Sequence, residues 1–193
     1  MKKLTSMILT GLLCLGLLAG CGGNTAPTTP SETTQPTAQY ASALDLLTAI
    51  ASGMTEEFPA AGGDEAHDTT DGPGAFDINA YGESFRYQTL VDENLTGKLT
   101  GDAATLIHMM NTNTFCSAVM ELKNAGEASS FGEVYKEIVQ GNHWMCGFPD
   151  TLVVLSLGNF VLTAYGADDL IQLFKTGAQS LGATLLVEAP AEA

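Results

Sequence analysis

Three stretches of this 193-residue chain carry side chains whose types and spacing could do chemistry. The first runs His143-Trp144-Met145-Cys146-Gly147-Phe148-Pro149-Asp150. A thiol three residues from an imidazole, with a carboxylate shortly after, sketches a cysteine nucleophile and its base. Catalytic partners of that kind usually come from distant parts of a chain, so closeness in sequence is not the required geometry. Trp, Cys, Gly and Pro in one run also fit a redox turn. Dithiol chemistry needs a second cysteine two residues on, but position 149 is proline and no cysteine follows Cys146. The spacing assigns no catalytic residue, and the run reads as a turn that packs Trp144 on a core.

The second stretch gathers Asp64, Glu65, His67, Asp68 and Asp71. Calcium favours such oxygen ligands, but the spacing departs from the alternating acidic pattern of an EF-hand loop. A solvated acidic loop is the simpler reading, with calcium stabilisation kept as an alternative. His108 and His143 lack a partner at metal-ligand spacing, so no metal site is assigned. The third feature is the pair Cys116 and Cys146, the two cysteines of the folded part. Outside a reducing compartment they can form a disulfide, which would close a loop of about 30 residues and add about 3 kcal/mol. Two free thiols, packed as small apolar groups, fit the sequence equally well. No glycine-rich phosphate cradle and no Gly-x-Ser-x-Gly elbow occurs, so no cofactor is implied.

Local patterning suggests which elements would hold these residues. Ser42 precedes Leu44, Leu47, Ala51 and Met54 at helical spacing, which predicts a helix over 42–57 before Pro59. Residues 59–84 are rich in Gly, Asp and Pro and read as turns pinned by Phe76, Ile78 and Tyr81. Tyr87, Leu90, Val91 and Leu95 fall at helical spacing and predict a helix over 85–95. Strands are expected at 105–110 and 115–122, around Asn111-Thr112-Asn113, with Leu106 to Met110 equally open to a helical reading. Ser130 and Glu133 fit a capping box for a helix that Gly141 ends. The β-rich runs 151–157 and 160–165 flank Gly158-Asn159, a tight hairpin signal. Asp168-Asp169 opens a last helix, Gly182 closes it, and 184–187 reads as a final strand before an Ala/Glu/Pro tail that should fray. From Phe115 onward the order is strand, helix, strand, strand, helix, strand. That order predicts an α+β domain over 41–188: a ferredoxin-like split βαβ antiparallel sheet with two helices on one face, plus an N-terminal helical extension at its edge.

The beginning of the chain carries an address. Met1-Lys2-Lys3, an apolar run from Met7 to Leu18 and small residues before Cys21 make a secretory signal. The run is shorter than the roughly 20 apolar residues a spanning helix needs. Leu18-Ala19-Gly20-Cys21 resembles the lipobox of bacterial lipoproteins, which implies a signal peptide over 1–20 and a lipid on Cys21. Two acyl chains suffice for stable anchoring where one does not. Residues 21–40, rich in Thr and Pro, would then serve as a tether. Loss of Lys2 and Lys3 leaves five basic against 22 acidic side chains, a formal charge of −17. Such a chain is repelled by nucleic acid and by anionic lipid.

Taken together, the lipobox, the Thr/Pro spacer, the early Leu-rich helix, Tyr81-Gly82, the run Ala118 to Lys123 and the run Gly158 to Leu162 resemble a family of small lipoproteins of Gram-positive bacteria that carry one domain of unknown function. The resemblance implies an exported, lipid-anchored single domain on the outer face of the cytoplasmic membrane, and carries no activity with it. The leading expectation is a non-catalytic surface domain that binds a protein or a cell-wall component. The competing one is an extracytoplasmic enzyme that uses Cys146 and His143.

Overall fold

The computed structural model describes residues 40–55 and 58–192. The signal peptide, Cys21 and all but the last residue of the tether lie outside the described residues. In chain order the elements are α1 (Ala43–Ser52), β1 (Ala60–Ala61), β2 (Gly74–Asp77), α2 (Ile78–Thr89), α3 (Glu93–Thr96), β3 (Leu99–His108) and β4 (Phe115–Leu122). A 3-10 turn at Ala125–Glu127 leads into α4 (Ala128–Gln140), followed by β5 (Thr151–Leu157), β6 (Phe160–Gly166), α5 (Asp168–Ser180) and β7 (Thr184–Pro190). The class is α+β, with a seven-stranded antiparallel sheet in the order β1-β3-β4-β6-β5-β7 and β2 also paired to β3.

The central strands read as near-continuous apolar runs because both of their faces are covered. In β5, Leu152 and Val154 face one helical layer while Val153 and Leu155 face the other. Phe131, Tyr135 and Val139 of α4 pack with Leu152 and Val154, together with Phe85 of α2 and Leu95 of α3. Leu170, Ile171 and Phe174 of α5 pack with Val153 and Leu155, together with Leu46, Leu47 and Ile50 of α1. Helices therefore lie on both faces of the sheet, where the sequence pattern suggested one.

Strand order accounts for this correction. In the unit β4-α4-β5, β6 lies between the two strands. The last strand then departs from the ferredoxin-like arrangement: β7 lies beside β5 and not beside β4, where β3 already sits. Both crossovers thus step the same way along the sheet, yet they start from β4 and β6, which run antiparallel. Crossovers of the usual right hand must then fall on opposite faces. The early helix is no edge addition either, since α1 covers Ala104, Leu106 and Val119 beside α5.

Local chemistry sets the boundaries. Ser42 Oγ accepts from Asp45 N at 3.1 Å, and Asp102 Oδ2 accepts from Ala43 N at 2.8 Å, so α1 starts where expected. It stops at Ser52 with Gly53 as C-cap, short of the expected end at residue 57. Asp77 Oδ1 accepts from Asn79 N and Ala80 N, starting α2 inside the stretch read as turns. The capping box of α4 is not formed: the helix begins at Ala128, Ser130 Oγ donates to Glu127 O, and Glu133 pairs with Lys136. Gly158, with φ of 60°, makes the β5–β6 turn as read.

The tail does not fray at Glu188. Thr151 pairs with Pro190, Ala191 N donates to Asp150 O at 3.0 Å, and Gln140 Nε2 donates to Pro190 O at 3.0 Å. Its Ala/Glu/Pro composition offers no apolar signal, but the backbone edge of β5 holds it.

Candidate ligand groove

A groove of about 1250 Å³ opens on the sheet face that carries α2 and α4, between α2 and the segment that follows α4. Its end is closed by the 61–69 loop and by the β3–β4 turn. Each wall is fixed by hydrogen bonds that the sequence makes possible.

The first wall is α2, whose last carbonyls are capped by side chains from three other elements. Thr89 Oγ1 donates to Phe85 O at 2.7 Å, and Leu90 N donates to Arg86 O at 3.0 Å. Cys116 Sγ of β4 and Tyr165 OH of β6, cross-strand neighbours, both donate to Gln88 O at 3.3 Å. Tyr135 OH of α4 donates to Thr89 O at 2.9 Å. Burial pushes the Cys116 thiol up to about 12 and raises both tyrosine hydroxyls, so all three keep the protons they donate. Leu90 then turns left-handed to leave the helix, with φ of 61°. Tyr87, one turn before this cap, is 90% exposed. The single helix expected over 85–95 is broken there: α2 ends at Thr89, and α3 starts only at Glu93.

The opposite wall is the loop from Asn142 to Cys146. Asn111 Nδ2 donates to Cys146 O at 2.8 Å and Asn113 Nδ2 donates to Gly147 O at 3.0 Å, so the Asn111-Thr112-Asn113 turn pins it. Gly147 has φ of 106°, a conformation that favours glycine. Trp144 packs against Tyr165 with ring centroids 5.3 Å apart, as the turn reading expected. Its indole N–H is sealed from solvent and meets no acceptor among the described residues. Met145 beside it is 86% exposed, and Met109 at the end of the groove is 58% exposed.

The residues singled out in the sequence fall in different places. Cys116 and Cys146 are free thiols: Cys116 is buried beneath the groove, engaged with Gln88 O, while Cys146 is exposed on the loop wall. The candidate disulfide is not formed. Among the described residues no hydrogen bond joins His143 to Cys146, and Asp150 is used to cap α5 through Asp168 N at 3.3 Å. The sketched nucleophile has no assembled base. His108 stacks on Phe58, and its Nδ1 accepts from Met110 N and Asn111 N, a structural role that also lines the groove.

The acidic stretch resolves into one buried carboxylate and a solvated rim. Asp64 is 3% exposed, and it accepts from Ala66 N, from His67 N and Nδ1, and from Asp77 N at 2.7–3.0 Å. Burial alone would raise its pKa, but the Asp77, His67 and Ala66 hydrogen bonds outweigh burial and hold it below the usual carboxylate value. Its oxygens organise the loop. Among the described residues no group of three His, Cys, Asp or Glu side chains is placed to hold a metal ion. No helix among them is long and apolar enough to cross a membrane.

Sequence reasoning missed Tyr87, Met109, Met145 and Tyr165 as neighbours of one groove. The available signal was the set of apolar residues outside any buried stripe, Met109-Met110 and Met145. Comparisons with protein-family models, with curated proteins and with solved structures found no match to this chain.

Proposed function

We propose that this chain is a lipid-anchored binding domain on the outer face of the cytoplasmic membrane, with the groove between α2 and the 142–146 loop as its ligand site. One observation carries the site. Tyr87, Met145 and Met109 are 90%, 86% and 58% exposed, and all three border the same groove of a strongly acidic chain. Exposed apolar groups gathered around a concavity mark an interaction surface more often than scattered ones do. The hydrogen-bonded cap of α2 and the Asn111 and Asn113 clamps hold both walls before a ligand arrives, which lowers the ordering cost of binding. The address rests on Leu18-Ala19-Gly20-Cys21 and on the resemblance to Gram-positive lipoproteins, and the Thr/Pro tether gives the domain reach from the membrane surface. Binding without catalysis is favoured because Cys146 and His143 stand in the groove without forming a nucleophile and base.

The test is a cross-linked pull-down from cells that express the chain, run beside Cys21→Ala and a Tyr87→Ala/Met145→Ala form. A recurrent partner that the groove form loses, while keeping its fold by circular dichroism, is the expected result. Equal recovery by the groove form overturns the site. A Cys21→Ala chain that still fractionates with membranes overturns the anchor.

A further inference from the structure

Resting on the groove as the binding site, we infer that its occupant is a basic peptide segment carrying aliphatic or aromatic side chains. Charge is the first argument. Asp68 on the loop, Glu83 on α2, and Asp92 and Glu93 at the start of α3 all border the groove. Arg86 is the one Lys or Arg among its lining residues and follows Glu83 by one helical turn, where that carboxylate offsets it locally. Four carboxylates against one guanidinium favour a cationic ligand and repel an anionic one.

Shape and surface chemistry give the second argument. The concavity is open and flanked by Tyr87, Met109 and Met145, with Trp144, Ile107 and Tyr165 beneath. Thioethers are polarizable and adapt to different side chains, and aromatic rings add contact area with little loss of freedom. Tyrosine and tryptophan faces also attract ammonium and guanidinium groups. A surface of this kind suits a chain of alternating apolar and basic residues better than a compact polar metabolite.

Other occupants fit less well. A second copy would bring another charge of −17 against this one and be repelled. Anionic lipid meets the same obstacle. The chain's own tether, Gly22 to Gln39, contains no basic residue and no large apolar one, so it offers neither the charge nor the anchor.

The chain contains a single tryptophan, so Trp144 emission from the full lipid-anchored protein in non-ionic detergent reports on the groove directly. Three tryptophan-free decapeptides serve as probes: Lys alternating with Leu, Glu alternating with Leu, and Lys alternating with Ser. The Lys/Leu peptide should shift the emission and bind about tenfold tighter than either control at low salt, with most of that margin lost at about 0.5 M salt. Glu83→Gln/Glu93→Gln should weaken it by about fivefold with an unchanged melting temperature. Equal or tighter binding of the Glu/Leu peptide, binding unaffected by Glu83→Gln/Glu93→Gln, or no emission change with any peptide overturns the inference. A partner lost with Tyr87→Ala/Met145→Ala in the cellular pull-down would still uphold the groove reading, so the two failures are separable.

Discussion

The two faces of one sheet are built on opposite plans. On the α1/α5 face the helices touch. A Cβ at Gly177 would lie 3.2 Å from Ile50 O, so the missing side chain is what lets α5 approach α1 closely. Leu46, Leu47, Ile50, Phe174 and Ala178 are fully buried there. The other face is no less apolar under α4, yet beneath the end of α2 it is finished with hydroxyls and a thiol: Tyr135, Tyr165 and Cys116 spend their polar tips on the last carbonyls of that helix. The sealed face is held chiefly by burial, with polar contacts only at its rim, where Asp102 Oδ2 accepts from Ala43 N and Lys175 pairs with Glu188. The open face holds its helix by hydrogen bonds aimed at particular atoms, which fixes a wall without filling the space beside it. Stability should therefore reside mostly in the first face and binding in the second.

The largest expected effect tests the sealed face. Phe174→Ala removes a fully buried ring that meets Phe115 edge-on at 6.1 Å, and should cost about 3–5 kcal/mol in a urea titration. A cost below about 1 kcal/mol would mean that α5 can collapse onto the space, and the contrast between the faces would break. Next comes Tyr135→Phe, which keeps the buried ring and leaves Thr89 O without its donor. An expected loss of about 1–3 kcal/mol follows from stranding that buried acceptor. Tyr165→Phe should cost less, because Cys116 still donates to Gln88 O. Equal losses for the two would show that the ring edges matter and not the cap.

A third prediction concerns the loop that closes the groove. Asp64→Asn keeps an acceptor but loses the charge on which four donors converge. Near neutral pH the expected cost is about 1–3 kcal/mol, the range for a buried group left with poorer partners. The sign follows from a folded-state pKa below the ordinary 3.8. The advantage of wild type over the variant is fully present above 3.8 and is lost as pH falls through the lowered folded value. Paired urea titrations across that range check it, and a gap that widens toward low pH would contradict the assignment. Asp102, whose pKa burial raises, is common to both proteins and cancels in the difference.

How much of this was legible in the sequence depends on whether the deciding contact is local. The Ser42 cap, the Gly158-Asn159 hairpin and the Asp168 start of α5 are decided by neighbours close in the chain, and each stands as read. The position of β7 is decided by β3 occupying the edge of β4, a relation between strands at opposite ends of the domain's sequence that no local period encodes. Two helices consequently moved to opposite faces. The groove was hidden for a related reason. Leu90 leaves α2 left-handed, so residues 85–95 do not form the one helix that their spacing suggested, and Tyr87 stands exposed beside the groove. The side chains that fix α2, at 116, 135 and 165, come from three elements whose meeting only the sheet order explains.

The smallest expected effect is the one that separates the faces most cleanly. Tyr87→Ala removes a larger side chain than many core truncations do, but that side chain is 90% exposed and its hydroxyl is not engaged by any hydrogen bond among the described residues. Exposed positions away from caps and buried networks usually change stability by no more than about 0.5 kcal/mol. Alanine has the better helix propensity, which further limits the loss at this position in α2. The urea midpoint should therefore stay where it is while the emission response of Trp144 to the Lys/Leu peptide weakens. Beside Phe174→Ala, an aromatic truncation of similar size, this gives two substitutions with opposite signatures: one unfolds without touching the groove, the other empties the groove of affinity without unfolding. Were Tyr87→Ala to cost as much stability as Tyr135→Phe, Tyr87 would belong to the scaffold of the open face, and the division of labour between the two faces would fail at the residue on which it most depends.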